Sequence, residues 1–161
     1  MKKIISIAFI LLISACQQKV TPNDIVNLNG YWEIEKVVFS NGSKKEYTYN
    51  ESYDYFQIKE NSGFRKKVMP QLDGRFLVNN QLEKIKITFE NEDVYINYTT
   101  PFAKWKEKIE AISKDKLIII NASKAQYHYK KAIPINILED GKTTKYRKFN
   151  WRCFKRNYPE Q

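Results

Sequence analysis

Strict alternation of apolar and polar residues constrains this chain more than any other feature. Residues 84–89 alternate isoleucine or phenylalanine with lysine or threonine, and residues 94–98 and 127–130 repeat the pattern. A period of two indicates a β-strand that buries one face. Turn signals rich in asparagine, aspartate and glycine separate these runs, which is typical of an antiparallel sandwich or barrel. The sequence therefore predicts an all-β domain.

The first eighteen residues do not follow that pattern. Lys2 and Lys3 precede an apolar run over residues 4–13, interrupted only by Ser6, which is the layout of a secretory signal. The run is too short to cross a bilayer, which needs about 20 apolar residues. Ile13-Ser14-Ala15-Cys16 resembles the lipobox of bacterial lipoproteins. The resemblance implies cleavage before Cys16 and acylation of that cysteine, with palmitate as a typical acyl group.

This resemblance defines the expected organisation and location of the protein. We expect a lipoprotein signal peptide over residues 1–15, a lipidated tether over residues 16–27 and one domain over residues 28–161. The membrane is then a partner through the lipid on Cys16, because two or more acyl chains anchor a protein stably. We expect a cell-envelope protein of a Gram-negative bacterium, held at the outer membrane, with the periplasmic or surface face left open.

Charge and cysteine content exclude several classes of protein. The chain carries a net charge of +10, but its basic residues are dispersed among apolar and acidic ones, as on a solvated strand face. Together with an envelope location, this dispersal argues against nucleic acid as a partner. The chain has two cysteines. If Cys16 is acylated, Cys153 has no disulfide partner, and we interpret it as a small buried apolar residue.

Residues 103–113 are compatible with two structures. Trp105, Ile109 and Ile112 have helical spacing, whereas a strand places Trp105, Ile109 and Ala111 on one face. We predict the strand, because a turn signal follows it and leads directly into another apolar run.

A family resemblance begins at Asn29-Gly30-Tyr31-Trp32. Gly-x-Trp at the start of the first strand is the hallmark of lipocalins, and residues 28–131 look like the lipocalin-like lipoproteins of the Bacteroidetes. The resemblance implies a single antiparallel up-and-down β-barrel of about 8–10 strands, in which Gly30 and Trp32 seal the closed end. It also implies a basic residue late in the chain that packs over the tryptophan. Arg152 and Arg156 are the candidates, and the sequence does not choose between them.

Residues 132–161 depart from the family pattern. Phe149, Trp151 and Cys153 alternate with polar residues, which predicts one added C-terminal strand. The apolar segment 133–138 contains a proline and is compatible with an edge strand or a loop. The way in which this arm meets the barrel determines the shape of any cavity.

The sequence contains no recognisable catalytic or metal-binding constellation. His128 is the only histidine and has no cysteines or carboxylates at metal-ligand spacing, so we interpret it as a strand-face residue. The five glycines are scattered and form no phosphate-binding loop. We therefore expect a protein that is not an enzyme and that uses no metal or cofactor.

Aromatic residues provide the remaining functional signal. They make up 14% of the chain and concentrate after the first strand, at Tyr47, Tyr49, Tyr53, Tyr55 and Phe56. In a barrel this cluster would lie near the mouth, where Tyr53, Tyr55 and Phe56 are candidates to bind a small apolar or amphipathic ligand. The same tyrosines also fit the half-buried positions of ordinary strands.

These observations favour a membrane-anchored, non-catalytic envelope lipoprotein that binds a small ligand in its barrel. The alternative is a barrel with a filled core that contacts a protein or a polysaccharide through its basic, aromatic surface. A cavity of about 300 Å³ or more, lined by apolar residues and open at one end, would separate the two. The sequence leaves the oligomeric state open.

Overall fold

The computed structural model of the protein describes residues 19–78 and 81–133. The predicted signal peptide, Cys16, Arg152, Arg156 and the added C-terminal strand therefore lie outside the described residues. Within the described part, no helix has both the length and the apolar character that a membrane crossing requires.

Ten strands follow one another along the described chain. They are β1 (Gly30–Val38), β2 (Lys44–Glu46), β3 (Tyr53–Lys59), β4 (Ser62–Pro70), β5 (Phe76–Val78), β6 (Glu83–Glu90), β7 (Asp93–Thr99), β8 (Lys104–Ile112), β9 (Lys116–Ile120) and β10 (Gln126–Lys131).

Eight of these strands close into an antiparallel barrel. The order is β1, β3, β4, β6, β7, β8, β9 and β10, and β10 pairs back onto β1, with Trp32 opposite Lys131 and Val38 opposite Gln126. The short strands β2 and β5 extend from β1 and β4. The predictions of an all-β fold and of a single antiparallel barrel are confirmed.

Residues 103–113 form a strand, as predicted, and it is β8. Ile109 is buried against the core, and Trp105 packs beside it on the same inner face. An irregularity between Ile109 and Ala111 then shifts the register. An extra residue in one strand reverses the alternation beyond it. As a result Ile112, rather than the predicted Ala111, lies opposite the buried Leu117.

A 3₁₀ helix over Pro22–Leu28 closes the end of the barrel at which β1 begins. The Asp24 carboxylate accepts hydrogen bonds from the backbone N–H and the hydroxyl of Thr21, at 2.8 and 2.7 Å. Ile25 and Leu28 are buried in the barrel core. The prediction of a tether up to residue 27 is therefore wrong for residues 22–27. Two apolar residues three positions apart are too few to show a helical period, and only the barrel end provides the surface that buries them.

The barrel interior is filled by side chains from this closed end up to its middle. An eight-stranded barrel is just wide enough for inward side chains to fill it. The apolar residues that share this core come from the helix and from all eight barrel strands except β4, and they are Ile25, Leu28, Trp32, Phe56, Ile58, Ile85, Ile87, Val94, Ile96, Tyr98, Ile109, Leu117, Ile119 and Tyr129.

Candidate functional site

Gly30 and Trp32 lie at the start of β1, at the closed end. Trp32 has no exposed surface. Its indole Nε1 donates a hydrogen bond of 2.8 Å to the Leu28 carbonyl, which ties the first barrel strand to the end of the helix. The polar atom of the indole is thus satisfied while its rings fill the barrel base.

Lys131 is the basic residue that packs over the tryptophan. Because β10 pairs with β1, Lys131 lies opposite Trp32, and its Nζ is 4.1 Å from the centroid of the indole. A Cβ on Gly30 would lie 3.2 Å from the Lys131 side chain, so the glycine leaves room for the lysine. The structure thus places Lys131 over the tryptophan, whereas the candidates Arg152 and Arg156 lie outside the described residues. Burial lowers the pKa of Lys131 to about 8, so the amine is protonated at neutral pH.

Substitution of Lys131 by methionine is expected to lower the free energy of unfolding by about 1–3 kcal/mol. The Lys131 amine donates hydrogen bonds to the carbonyl oxygens of Asn27, at 2.9 Å, and Asn29. Methionine keeps the side-chain length but leaves both carbonyls without this donor. Chemical denaturation followed by tryptophan fluorescence measures the change.

The neighbouring lysine provides a matched control. Lys130 points to the other face of β10, where its half-exposed amine lies 3.1 Å from Glu33. A Lys130→Met variant should lose less than about 1 kcal/mol, because exposed ion pairs contribute little. Equal losses in the two variants would contradict the role assigned to Lys131.

The inward-facing residues become polar towards the open end of the barrel. Arg65, whose side chain is 13% exposed, forms an ion pair with Glu83, and its guanidinium lies 4.5 Å from the centre of the Tyr98 ring. Glu107 lies on the same side, and burial raises the pKa of its carboxyl group. Burial likewise raises the pKa of Tyr98 well above its ordinary value. These groups form a charged layer above the apolar core.

Asp54 is the most deeply buried charged residue of this layer, with 2% of its surface exposed. Its Oδ1 lies 2.9 Å from Nζ of Lys67, whose side chain is 58% exposed. The Tyr129 hydroxyl contacts the same carboxylate, and burial raises the pKa of Tyr129 well above its ordinary value. The Asp54 carboxylate at the barrel mouth is thus almost completely shielded from water.

A pocket of about 410 Å³ opens at the mouth above Asp54. The connection between β2 and β3 forms its rim, and Asn50 Nδ2 holds that connection to the Ile34 carbonyl through a hydrogen bond of 2.8 Å. Tyrosine rings and charged groups dominate the lining, which consists of Ile34, Tyr47, Tyr49, Asn50, Glu51, Ser52, Asp54, Lys67, Tyr127 and Tyr129. The pocket is large enough for a small molecule, but it is amphipathic rather than apolar and lies at the mouth rather than deep inside the barrel.

The residues predicted to bind a ligand do not line this pocket together. Tyr55 lies on the outer face, with its ring centre 4.7 Å from that of Tyr31. Tyr53 alternates with the inward Asp54 and is only half-buried, whereas Phe56 has no exposed surface and belongs to the core. The prediction that Tyr53, Tyr55 and Phe56 form the site is therefore wrong. Neighbours in a strand point to opposite faces, so three nearly consecutive residues cannot share one cavity wall.

The tyrosines that do line the pocket come from two segments. Tyr47 and Tyr49 belong to the aromatic cluster visible in the sequence, but Tyr127 and Tyr129 were not identified as ligand-binding residues. Their alternation with His128 and Lys130 already indicated a shared face, although not which face. Asp54 was a second sequence signal for the site. It alternates with Phe56 and Ile58 on the inward face of β3, and a carboxylate at such a buried position needs a partner.

The aromatic contact between Tyr31 and Phe76 on the outer face of the barrel leads to a prediction about stability at high pH. Tyr31 stacks on Phe76 with ring centres 4.4 Å apart. Burial, with Tyr55 as a smaller cause, raises the pKa of Tyr31 to about 12 from 10.0. Because the folded pKa is the higher one, the contribution of Tyr31 to stability is complete below pH 10 and is lost as the pH rises through 12.

We therefore expect wild-type stability to fall more steeply than that of a Tyr31→Phe variant between pH 10 and pH 12. Urea denaturation across this pH range measures both slopes. Parallel slopes would contradict the burial of the Tyr31 hydroxyl.

His128 lies on the outer face of β10, opposite Lys36 of β1. Burial, followed by the nearby Lys36, lowers the pKa of its imidazole. Among the residues that the structure describes, no group of three or more histidine, cysteine, aspartate or glutamate side chains is arranged to hold a metal ion.

The sequence profile of this chain resembles that of a known family. The profile of the lipocalin-like domain matches residues 28–119. A solved structure of a lipocalin-like protein from Bacteroides uniformis has 12% identity and a TM-score of 0.42, covering 66% of this chain and 99% of that one. An uncharacterized protein from Bacteroides eggerthii has 9% identity and a TM-score of 0.43, covering 65% and 99%. No curated protein matches the chain.

An eight-stranded antiparallel barrel, closed by a helix and Gly-x-Trp at one end and open at the other, defines a small barrel protein of the up-and-down class. The family match covers more than half of the chain and includes Gly30 and Trp32. The chain belongs to the lipocalin-like domain family, and the predicted family is confirmed. Barrels of this kind often bind ligands and are typically not enzymes.

Proposed function

We propose that this protein is a lipid-anchored lipoprotein of the bacterial cell envelope that binds a small amphipathic ligand at the mouth of its barrel, without catalysing a reaction. The observation that carries the proposal is the pocket of about 410 Å³ whose lining combines four tyrosines with a buried carboxylate. Concave sites with an aromatic lining and a few convergent polar groups are the usual form of small-molecule sites.

The filled lower barrel limits the size of this ligand. Trp32 and Phe56 have no exposed surface, so a long chain cannot thread towards the closed end. A wider groove of about 670 Å³ lies beside the exposed Phe102, but it is lined by strand ends and the turn between β7 and β8. The mouth pocket is the better candidate because it contains the deeply buried Asp54.

The helix at the closed end orients the barrel in the proposed anchored protein. Cys16 precedes the helix-capping Thr21 by five positions, so the chain between them spans at most about 18 Å. The closed end therefore lies close to the bilayer, and the mouth opens away from it. Such an orientation favours a ligand that arrives from the aqueous side.

Acylation of Cys16 is tested by metabolic labelling with a radioactive or clickable palmitate analogue. We expect the label in the wild type and in a Cys153→Ala variant, but not in a Cys16→Ala variant. Wild-type protein should also sediment with membranes. Label that persists in Cys16→Ala would overturn the anchoring proposal.

Ligand binding is tested by native mass spectrometry of protein purified from its own host. We expect an added mass in the wild type that is lost in a Tyr127→Ser variant, because this residue lines the pocket. A Tyr95→Ser variant, altered on the outer face of β7, should retain it. Binding that is indifferent to Tyr127, or no added mass in any form, would count against a ligand site at the mouth.

One observation favours the alternative of an envelope interaction module. Lys84, Lys86 and Lys104 are exposed on the outer faces of β6 and β8 and form no ion pair with any described residue. They would attract an anionic polysaccharide. A triple serine variant should then elute from a heparin column at lower salt than the wild type. A matched triple variant at the closed end, Lys59, Lys114 and Lys116, should elute like the wild type, and equal elution of all forms would exclude the module.

A further inference from the structure

We propose that the mouth pocket is selective for organic cations and seats an ammonium group of its ligand on Asp54. This inference rests on the proposed function, because it names the class of ligand that the same pocket takes. It follows from the accessibility of the ion pair at Asp54, from the rings around it and from the local charge.

The ion pair at Asp54 is poorly matched. Asp54 is almost fully buried, yet no hydrogen bond of good geometry reaches its Oδ1 from any described residue. Lys67 Nζ lies 2.9 Å from that oxygen, but more than half of the lysine side chain is exposed. A buried charge needs a partner, whereas a long exposed lysine can leave for solvent. Lys67 thus occupies a position that a ligand cation can take over.

Aromatic rings line the pocket that contains this position. Tyr127, Tyr129, Tyr47 and Tyr49 line the same pocket as Asp54. Tyrosine faces attract ammonium groups through the ring quadrupole, and sets of such rings around a carboxylate are a general solution to the binding of organic cations. The same rings are apolar enough to hold the carbon skeleton next to the charge.

The local charge also favours a cation, although the whole chain is basic with a net charge of +10. The charged residues in the lining are two carboxylates, Glu51 and Asp54, against the single base Lys67. Below the pocket, Arg65 is already paired with Glu83. An anionic ligand would meet these carboxylates. To pair with that ligand, Lys67 would have to leave Asp54 to the more distant Arg65, which already forms an ion pair with Glu83.

The test uses three probes with one skeleton and different charge: phenethyltrimethylammonium, phenethyl sulfate and phenethyl alcohol. None of them is a detergent, so the full-length protein can be measured in nonionic detergent by calorimetry and by NMR titration. We expect the ammonium probe to bind at least about tenfold more tightly than either of the others. Added salt should weaken its binding.

Two variants report on the two sides of the ion pair. Asp54→Asn should weaken ammonium binding by at least about tenfold. Lys67→Met should strengthen it severalfold, because the competing amine is removed while the carboxylate remains. Lys67 is exposed, and Arg65 and the Tyr129 hydroxyl remain beside Asp54, so this second variant is expected to fold even if Asp54→Asn does not. Lys104→Met, on the outer face of β8, is the control and should leave the affinity unchanged.

The outcomes separate this inference from the proposed function. Tightest binding of the sulfate probe, lost in Lys67→Met, would overturn cation selectivity and leave a ligand site at the mouth. Equal binding of all three probes would also overturn cation selectivity and leave a ligand site at the mouth. Failure of all three probes to bind at millimolar concentration would overturn the inference, and the absence of an added mass in native mass spectrometry would overturn the proposed function separately.

Discussion

Replacement of Trp32 by alanine is expected to lower the free energy of unfolding by about 3–5 kcal/mol, the usual cost of removing a large buried aromatic side chain. Trp32 is fully buried at the barrel base. The substitution also removes the donor to the Leu28 carbonyl and the ring beneath Lys131. Three elements thus lose their common contact: the helix, β1 and β10. Urea denaturation monitored by circular dichroism measures the loss. Tryptophan fluorescence is unsuitable here, because the substitution removes one of the fluorophores.

Two controls separate the contributions of Trp32. Trp32→Phe keeps most of the ring area but lacks the indole donor, so it should lose less than the alanine variant. Phe102→Ala removes a side chain that is 98% exposed and should change stability by less than about 0.5 kcal/mol. A Trp32→Ala loss no greater than the Phe102→Ala loss would contradict the role of Trp32 as the seal of the closed end.

Replacement of Gly63 by alanine is expected to cost about 3 kcal/mol or more, at or above the usual range for overpacking. Gly63 lies near the start of β4, opposite Ile58 of β3 and Ile85 of β6. A Cβ at this position would lie 1.9 Å from the Gln57 carbonyl oxygen and 2.9 Å from the Ile58 Cα. These are backbone atoms, so no side-chain rotation relieves the clash, and the β3–β4 hairpin must open. The measurement is the same urea denaturation.

Gly42 provides the matched control for the same chemical change. It has a positive φ of 82° in the turn between β1 and β2, and a Cβ there would meet no atom within 4 Å. Gly42→Ala should therefore cost only the backbone penalty of about 1–2 kcal/mol. If Gly42→Ala were the more destabilising variant, the close approach of β3 to β4 at Gly63 would be contradicted.

The strands were predictable because burial of one face imposes a period of two on each of them. Ile85 and Ile87 of β6, and Val94 and Ile96 of β7, are buried where the alternation placed them. The same rule identified β8 in preference to a helix. It missed the reversal after Ile109, because a bulge depends on how the neighbouring strand pairs and leaves no local signal.

The helix over Pro22–Leu28 was not predictable in the same way. It is one short segment in which Ile25 and Leu28 are the buried residues. Isolated helices of this length are unstable in water, so local sequence preference cannot specify them. The helix exists because the barrel base presents Trp32 and the core to these two side chains.

The candidate site was predictable only in composition. An excess of tyrosine near the first strand indicated aromatic residues at a mouth, and Tyr47 and Tyr49 do line the pocket. Tyr53, Tyr55 and Phe56 were the wrong choice, because the face that each side chain takes depends on strand register. Tyr127, Tyr129 and Asp54 join the pocket through pairing between distant segments.

The amino-acid sequence by itself determined the fold class, the family and the closed-end residues Gly30 and Trp32, since alternation and a short motif are local properties of the chain. Only the tertiary structure decided that Lys131 covers Trp32, that residues 22–28 close the barrel and that Asp54 lies at the base of a tyrosine-lined mouth. These features depend on which strand lies beside β1. β10 pairs with β1 although about a hundred residues of chain separate them, so the burial gained by the pairing must offset the entropy of closing this long loop.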